Sequence, residues 1–202
     1  SNVHHEICCT EDIQPINFLE MYNNNYKIIG RTGSIFQNDC FIMNLDSLGN
    51  ITSPIDRYED IVLGTKAIKN SNGDIIIAGR TYAYNDDTNY NESFATMLSL
   101  NNTNNVNWCK TYKDINEDNS YFSDVLLSTD GGLIAIGDTY ENNPTYMKPF
   151  IVKTRLDGTD DCNATDFEVV HTTTGIPNIS QNTFSSINHN ALQLINATRT
   201  IL

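Results

Sequence analysis

Carboxylates, cysteines, tyrosines and a handful of cations are the residues of this 202-residue chain that could do chemistry, and their spacing decides which chemistry each can do. Asp157-Gly-Thr-Asp-Asp161 sets the oxygens of Asp157, Asp160 and Asp161 in positions that resemble a truncated calcium loop, without the later bidentate Glu of a full one. Calcium is therefore the one cofactor the sequence offers. Asp46, Asp130 and Asp157 recur beside glycines in tight turns, where an Asx side chain bonds its own backbone. Arg31 and Arg80 share one repeat position that Asp138 takes in a third copy, so a charged ligand rim and intra-blade salt bridges are both consistent with them. Tyr82, Tyr84 and Tyr90 fall in one long polar loop and Tyr140 and Tyr146 in its counterpart; rings carried on loops are a common means of gripping sugars or partner proteins.

No nucleophile elbow, His-Glu-x-x-His helix or phosphate-cradling glycine loop occurs. Cys109 and His171 are the nucleophile and base candidates that remain, recommended only by being present, and no residue is assigned as catalytic. His4 and His5 are adjacent, so on a strand they point to opposite faces and cannot chelate together. The five cysteines Cys8, Cys9, Cys40, Cys109 and Cys162 include no C-x-x-C pair, which argues against structural zinc. Their odd number leaves a free thiol or an outside partner, with Cys8 or Cys9 bridged to Cys40 or Cys162 as the candidate disulfides.

What must position these residues is a repeat. Tyr26–Thr32, Gly73–Thr81 and Gly131–Thr139 each run from a turn through an apolar stretch to Gly, a charged residue and Thr. An apolar run of that length without alternation reads as a strand buried on both faces. Before each copy comes another strand and a turn rich in Asn or Gly, residues that tolerate positive φ: Ile16–Tyr22, Ile61–Ile68 and Tyr121–Asp130. After each comes a polar loop and a third strand beginning at Phe41, Phe94 or Phe150, which align the copies. A fourth strand is clear at Val106–Tyr112, with weaker counterparts over Ile51–Tyr58 and Phe167–His171. The aligned glycines Gly30, Gly79 and Gly137 are 49 and 58 residues apart, and four short strands per repeat of roughly 40–50 residues mark a β-propeller blade.

The expected fold is thus all-β, a propeller-like array of three to four four-stranded antiparallel blades. Residues 1–12 supply a strand able to close a blade, 13–58, 59–114 and 115–170 are the repeats, and 171–202 form a partial fourth blade or a connector arm. With a formal charge of −13 and twelve scattered Lys and Arg, the chain lacks the basic stripe that nucleic acid requires. No apolar run approaches the ~18 residues of a membrane span.

The runs Asn107–Tyr112, Tyr121–Thr139, Pro149–Gly158 and the turn Leu45-Asp-Ser-Leu-Gly-Asn50 resemble secreted bacterial β-propeller repeats, whose blades read roughly Thr-x-Asp-Gly-Gly-x-Ile-Ile-x-Gly-x-Thr. The resemblance spans residues 7 to about 163 and implies an extracellular or cell-surface location, including export by the type IX route. It carries over no catalytic residue, because the shared positions are turn glycines and core apolars. The function expected is non-catalytic recognition of protein or glycan, or scaffolding. A carbohydrate-active hydrolase or lyase of propeller architecture, with paired acids at one mouth, and a subunit of a secretion or attachment assembly are the alternatives.

Overall fold

A computed structural model describes residues 13–34, 37–59, 61, 66–85, 90–113, 119–140, 146–160 and 164–174. Among them are thirteen strands in three antiparallel sheets and no α-helix. The first sheet is built from β1 (Ile13–Glu20), β2 (Tyr26–Ser34), β3 (Gln37–Leu45) and β4 (Ile55–Tyr58). The second has β5 (Lys66–Lys69), β6 (Ile75–Asn85), β7 (Tyr90–Leu100) and β8 (Val106–Tyr112). The third has β9 (Asn119–Leu127), β10 (Leu133–Tyr140) and β11 (Lys148–Thr154). Each is a meander in chain order, the arrangement that short connections between antiparallel neighbours impose.

The turns explain why the chain reverses where it does. In the turns at 46–50, 70–74, 101–105, 128–132 and 155–159, the first residue's N–H bonds the fifth carbonyl and the fourth N–H bonds the first carbonyl. The fourth residue is left-handed in every case: Gly49, Gly73, Asn104, Gly131 and Gly158, with φ from 67° to 87°. Asp46, Asn70 and Asn101 open three of these turns and accept the N–H groups two and four residues on. The expected Asx role of Asp46 is thereby realised.

The repeated glycine has a different cause. On the strand beside it the register shifts, between Pro15 and Asn17 opposite Gly30 and between Phe122 and Asp124 opposite Gly137. A bulge pushes that strand's backbone inward, so a Cβ on Gly30 would lie 2.3 Å from the Gln14 carbonyl oxygen and one on Gly137 1.8 Å from that of Tyr121.

The sheets stack through two cores. Ile29, Cys40, Ile42 and Tyr58 of the first sheet pack with Ile75, Ile77, Leu98 and Leu100 of the second. Ile76, Ala78, Met97 and Tyr112 on the second sheet's other face pack with Phe122, Val125, Leu133, Ala135 and Val152 of the third. Burial on both faces, expected of all three repeated strands, is therefore realised fully in β6, while Ile136 of β10 stays 45% exposed. One tyrosine per junction latches a sheet to the next: the Tyr58 hydroxyl donates to the Asn104 carbonyl and the Tyr112 hydroxyl to the Gly158 carbonyl, both at 2.6 Å. Both acceptors are the left-handed residue of the turn that follows the third strand of their sheet.

Two expectations are corrected. The residues read as a weak fourth strand of the third repeat do not extend that sheet: β12 (Ala164–Asp166) pairs with β8 and β13 (His171–Thr174) with β4, making the first two sheets five-stranded. Their backbone groups cap exposed sheet edges, and Phe167 N–H to Cys109 O and Glu59 N–H to Val170 O continue the ladders between them. The aligned phenylalanines are not in one register either. Phe41 and Phe150 pair with Gly30 and Gly137, whereas Thr96 faces Gly79 and Phe94 lies opposite Thr81. A shift of two residues keeps every side chain on its own face, which is why the sequence pattern conceals it. The N-terminal strand, and the partial fourth blade or connector arm beyond residue 174, fall outside the described residues.

Candidate functional site

At the junction of the first two sheets the repeat is broken by polar residues. Position 27 of β2 corresponds to Ile76 and Ile134 in the other sheets, yet it is Lys27, and it is buried. The Lys27 amine reaches across to the turn at 101–105 and donates to the Asn102 carbonyl at 2.9 Å and to Asn104 Oδ1. Asn104 Nδ2 donates in turn to Asp56 Oδ2 at 2.5 Å, and Asp56 Oδ1 lies 2.9 Å from His171 Nε2. The His171 ring stacks on Tyr58 with centroids 4.9 Å apart. A lysine, an asparagine, an aspartate and a histidine from both sheets, a turn and β13 thus form one continuous chain of polar contacts.

Burial pushes the Lys27 amine from 10.5 down to about 8, while the nearby Asp56 carboxylate acts in the opposite sense. Burial likewise raises the Tyr58 phenol far above its ordinary value, so Tyr58 stays a neutral donor to the Asn104 carbonyl. Four residues before Tyr112 the second sheet carries Trp108, whose ring lies 2.7 Å from where a Cβ on Gly158 would stand. Four residues before Tyr58 the first sheet carries Pro54 instead, and there the turn residue is Asn104, whose side chain joins the polar chain.

The network floors a cleft of about 550 Å³. Its walls are the Asn23, Asn25, Asn44 and Asn102 segments, the hydroxyl residues Thr52, Ser53 and Thr103, and Tyr22 and Tyr26. Tyr22 is clipped to the second sheet by its hydroxyl bond to the Ser71 carbonyl and by the Lys69 ammonium 4.9 Å from its ring centre; Tyr26 stacks on Phe18. Lys27 and Asp56 are the charged residues among the lining. A surface of amides, hydroxyls and ring edges with its charges already linked suits a neutral, hydroxyl-rich ligand.

Of the residues singled out from sequence, His171 belongs to this network; the other described ones lie elsewhere and are not gathered into it. Arg31 bonds Gln14 on the neighbouring strand, Arg80 lies 5.0 Å from the ring centre of Tyr82, and Asp138 accepts the Tyr121 hydroxyl at 2.8 Å. Each position of the proposed charged rim thus has a partner within its own sheet. Tyr84 and Tyr90 stand at the β6–β7 end, with side chains outside the described residues; Tyr140 is half-buried at the end of β10 and Tyr146 is exposed before β11. Asp157 accepts from the Thr159 N–H and hydroxyl, which hold its carboxyl below the usual range, and Asp160 accepts the Ala164 N–H. Asp161 lies outside the described residues, among which no cluster of three or more His, Cys, Asp or Glu side chains is found. Asp130 pairs with Lys153.

Cys40 and Cys109 are free thiols buried in the first core, both pushed by burial to about 12, the opposite of an activated nucleophile. Cys8, Cys9 and Cys162 lie outside the described residues, as do His4 and His5. The base candidate His171 is held by Asp56 and Tyr58. Lys27, Asp56 and Asn104 escaped sequence reading, although one signal was present: a lysine at a position that both other copies fill with isoleucine. No family model and no curated protein matches the chain.

Proposed function

We propose that this chain is a recognition module of β-propeller type, borne on an exported or cell-surface protein, and that it binds a neutral glycan in the cleft between its first and second sheets. The cleft carries the proposal: amides, hydroxyls and tyrosine rings surround a volume able to take one or two sugar rings, and its charges are satisfied internally. Propeller character is supported by the stacking of successive meanders, with the first strands β1, β5 and β9 in contact along one side. A hydrolase of this architecture would need two carboxylates roughly 5–10 Å apart. Among the described residues Asp56 is the one carboxylate of the cleft lining, and it is already bonded to Asn104 and His171.

The test is a glycan array followed by amide chemical-shift titration of the labelled chain. Neutral oligosaccharides should bind, shifting residues of the 21–27 and 101–105 segments, and Asn102→Ala should weaken binding about tenfold by removing one hydrogen-bonding side chain. Binding that shifts only the β6–β7 and β10–β11 loops, or an array without hits, would refute this assignment.

A further inference from the structure

The three sheets present equivalent positions to their neighbours. Facing pairs Ile29/Ile42, Ala78/Met97 and Ile136/Ile151 occupy the same place, on the second and third strands one residue before the glycine position. In the first two sheets each of these side chains is completely buried under the next sheet; in the third Ile136 is 45% and Ile151 63% exposed, with Leu126 beside them at 51%. The face is built like the two that form cores in this molecule and, among the described residues, has no sheet upon it.

We infer that the open face of the third sheet is where two copies of this chain meet, face to face across a two-fold axis. Head-to-tail stacking would set this face on the back face of a first sheet, where Phe41 and Met43 are fully buried and Phe18 is 58% exposed. A contact of like with like is instead isologous and closes on itself. The charge pattern fits. Across the face, one row runs Asp124, Ile136, Ile151 and the next Leu126, Ile134, Lys153, so the acid and the base occupy opposite corners. A two-fold axis running between those corners lays Asp124 of each copy over Lys153 of the other and gathers the aliphatic side chains at the centre. Lys153 is held in place on the face by Asp130.

Size sets the strength. Three strands about 4.8 Å apart and roughly seven residues long cover about 300 Å² per copy. The total is well under the roughly 1,200 Å² of a standard interface, so the dimer belongs to the weak, reversible class. The inference is independent of the cleft, which lies on the other two sheets.

Sedimentation velocity of the whole chain from about 5 to 500 μM tests it, with concentrations spanning the weak-binding range. The expected result is a concentration-dependent shift from monomer towards dimer, with Ile136→Lys weakening association more than about tenfold. Its unfolding midpoint should stay near that of the parent because the site is half exposed. Asp124→Lys and Lys153→Asp should each weaken association, and the double variant should restore it, the signature of a direct pair across the axis. A chain that stays monomeric throughout, a dimer indifferent to Ile136→Lys, or charge variants that fail to rescue one another would each overturn the inference.

Discussion

Replacing Lys27 by methionine tests the central network through its pH dependence. The parent amine titrates near 8 when folded and near 10.5 when unfolded. Below about 8 the lysine is protonated in both states, and the folded protein carries the full cost of a buried charge. Between 8 and 10.5 the unfolded chain holds a proton that the folded chain has released, so stability rises with pH through that window. The whole interval corresponds to roughly 3 kcal/mol, and solvent screening from the adjoining cleft should reduce it to about 1–2 kcal/mol. The variant has nothing to titrate at this position. The pH-independent loss of the two bonds to Asn102 and Asn104 should cost it about 1–3 kcal/mol throughout.

The buried thiols act in the opposite direction. Cys40 and Cys109, raised to about 12 when folded, keep protons that the unfolded chain loses above about 9, so their stabilising contribution declines as pH climbs past that point. Both proteins contain these thiols, so the difference between parent and variant cancels them. The assay is urea unfolding under reducing conditions at about pH 7, 8, 9 and 10, followed by the fluorescence of the single tryptophan, Trp108. The parent's advantage over Lys27→Met should grow by about 1–2 kcal/mol from pH 7 to 10. A difference that is flat or shrinks over that range refutes a buried, partly discharged Lys27.

Two further outcomes follow from the packing. Gly158→Ala should cost about 2–4 kcal/mol, because a left-handed alanine would also drive its Cβ into the Trp108 ring, whereas Gly131→Ala, with the same backbone sign and open space around it, should cost only about 1 kcal/mol; thermal unfolding compares them. Cys40 and Cys109 should resist a thiol reagent in the native protein and react only on unfolding, so that their labelling rate tracks urea concentration.

Much of the scaffold is legible in the linear sequence because its causes are local. Asn-Gly and Asp-Gly pairs sit where the left-handed turn residue is required, and the Ile-rich runs alternate with turns at spacings that only short antiparallel strands satisfy. A glycine that repeats without positive φ betrays a crowded backbone, and the bulges opposite Gly30 and Gly137 supply the crowding. Even Lys27 left a trace, as a charge among isoleucines.

The strands, the turns between them and the number of times the unit recurs therefore belong to the linear chain, since each depends on residues close together in it. Long-range packing governs the rest: that 164–174 leaves the third sheet to edge the first two, that Phe94 slips two places, and that Lys27, Asn104, Asp56 and His171 meet. These outcomes turn on which distant backbone edge or polar atom is available as a partner. His171 and Asp56 lie 115 residues apart, and no local pattern records which buried charge a histidine will find across that distance.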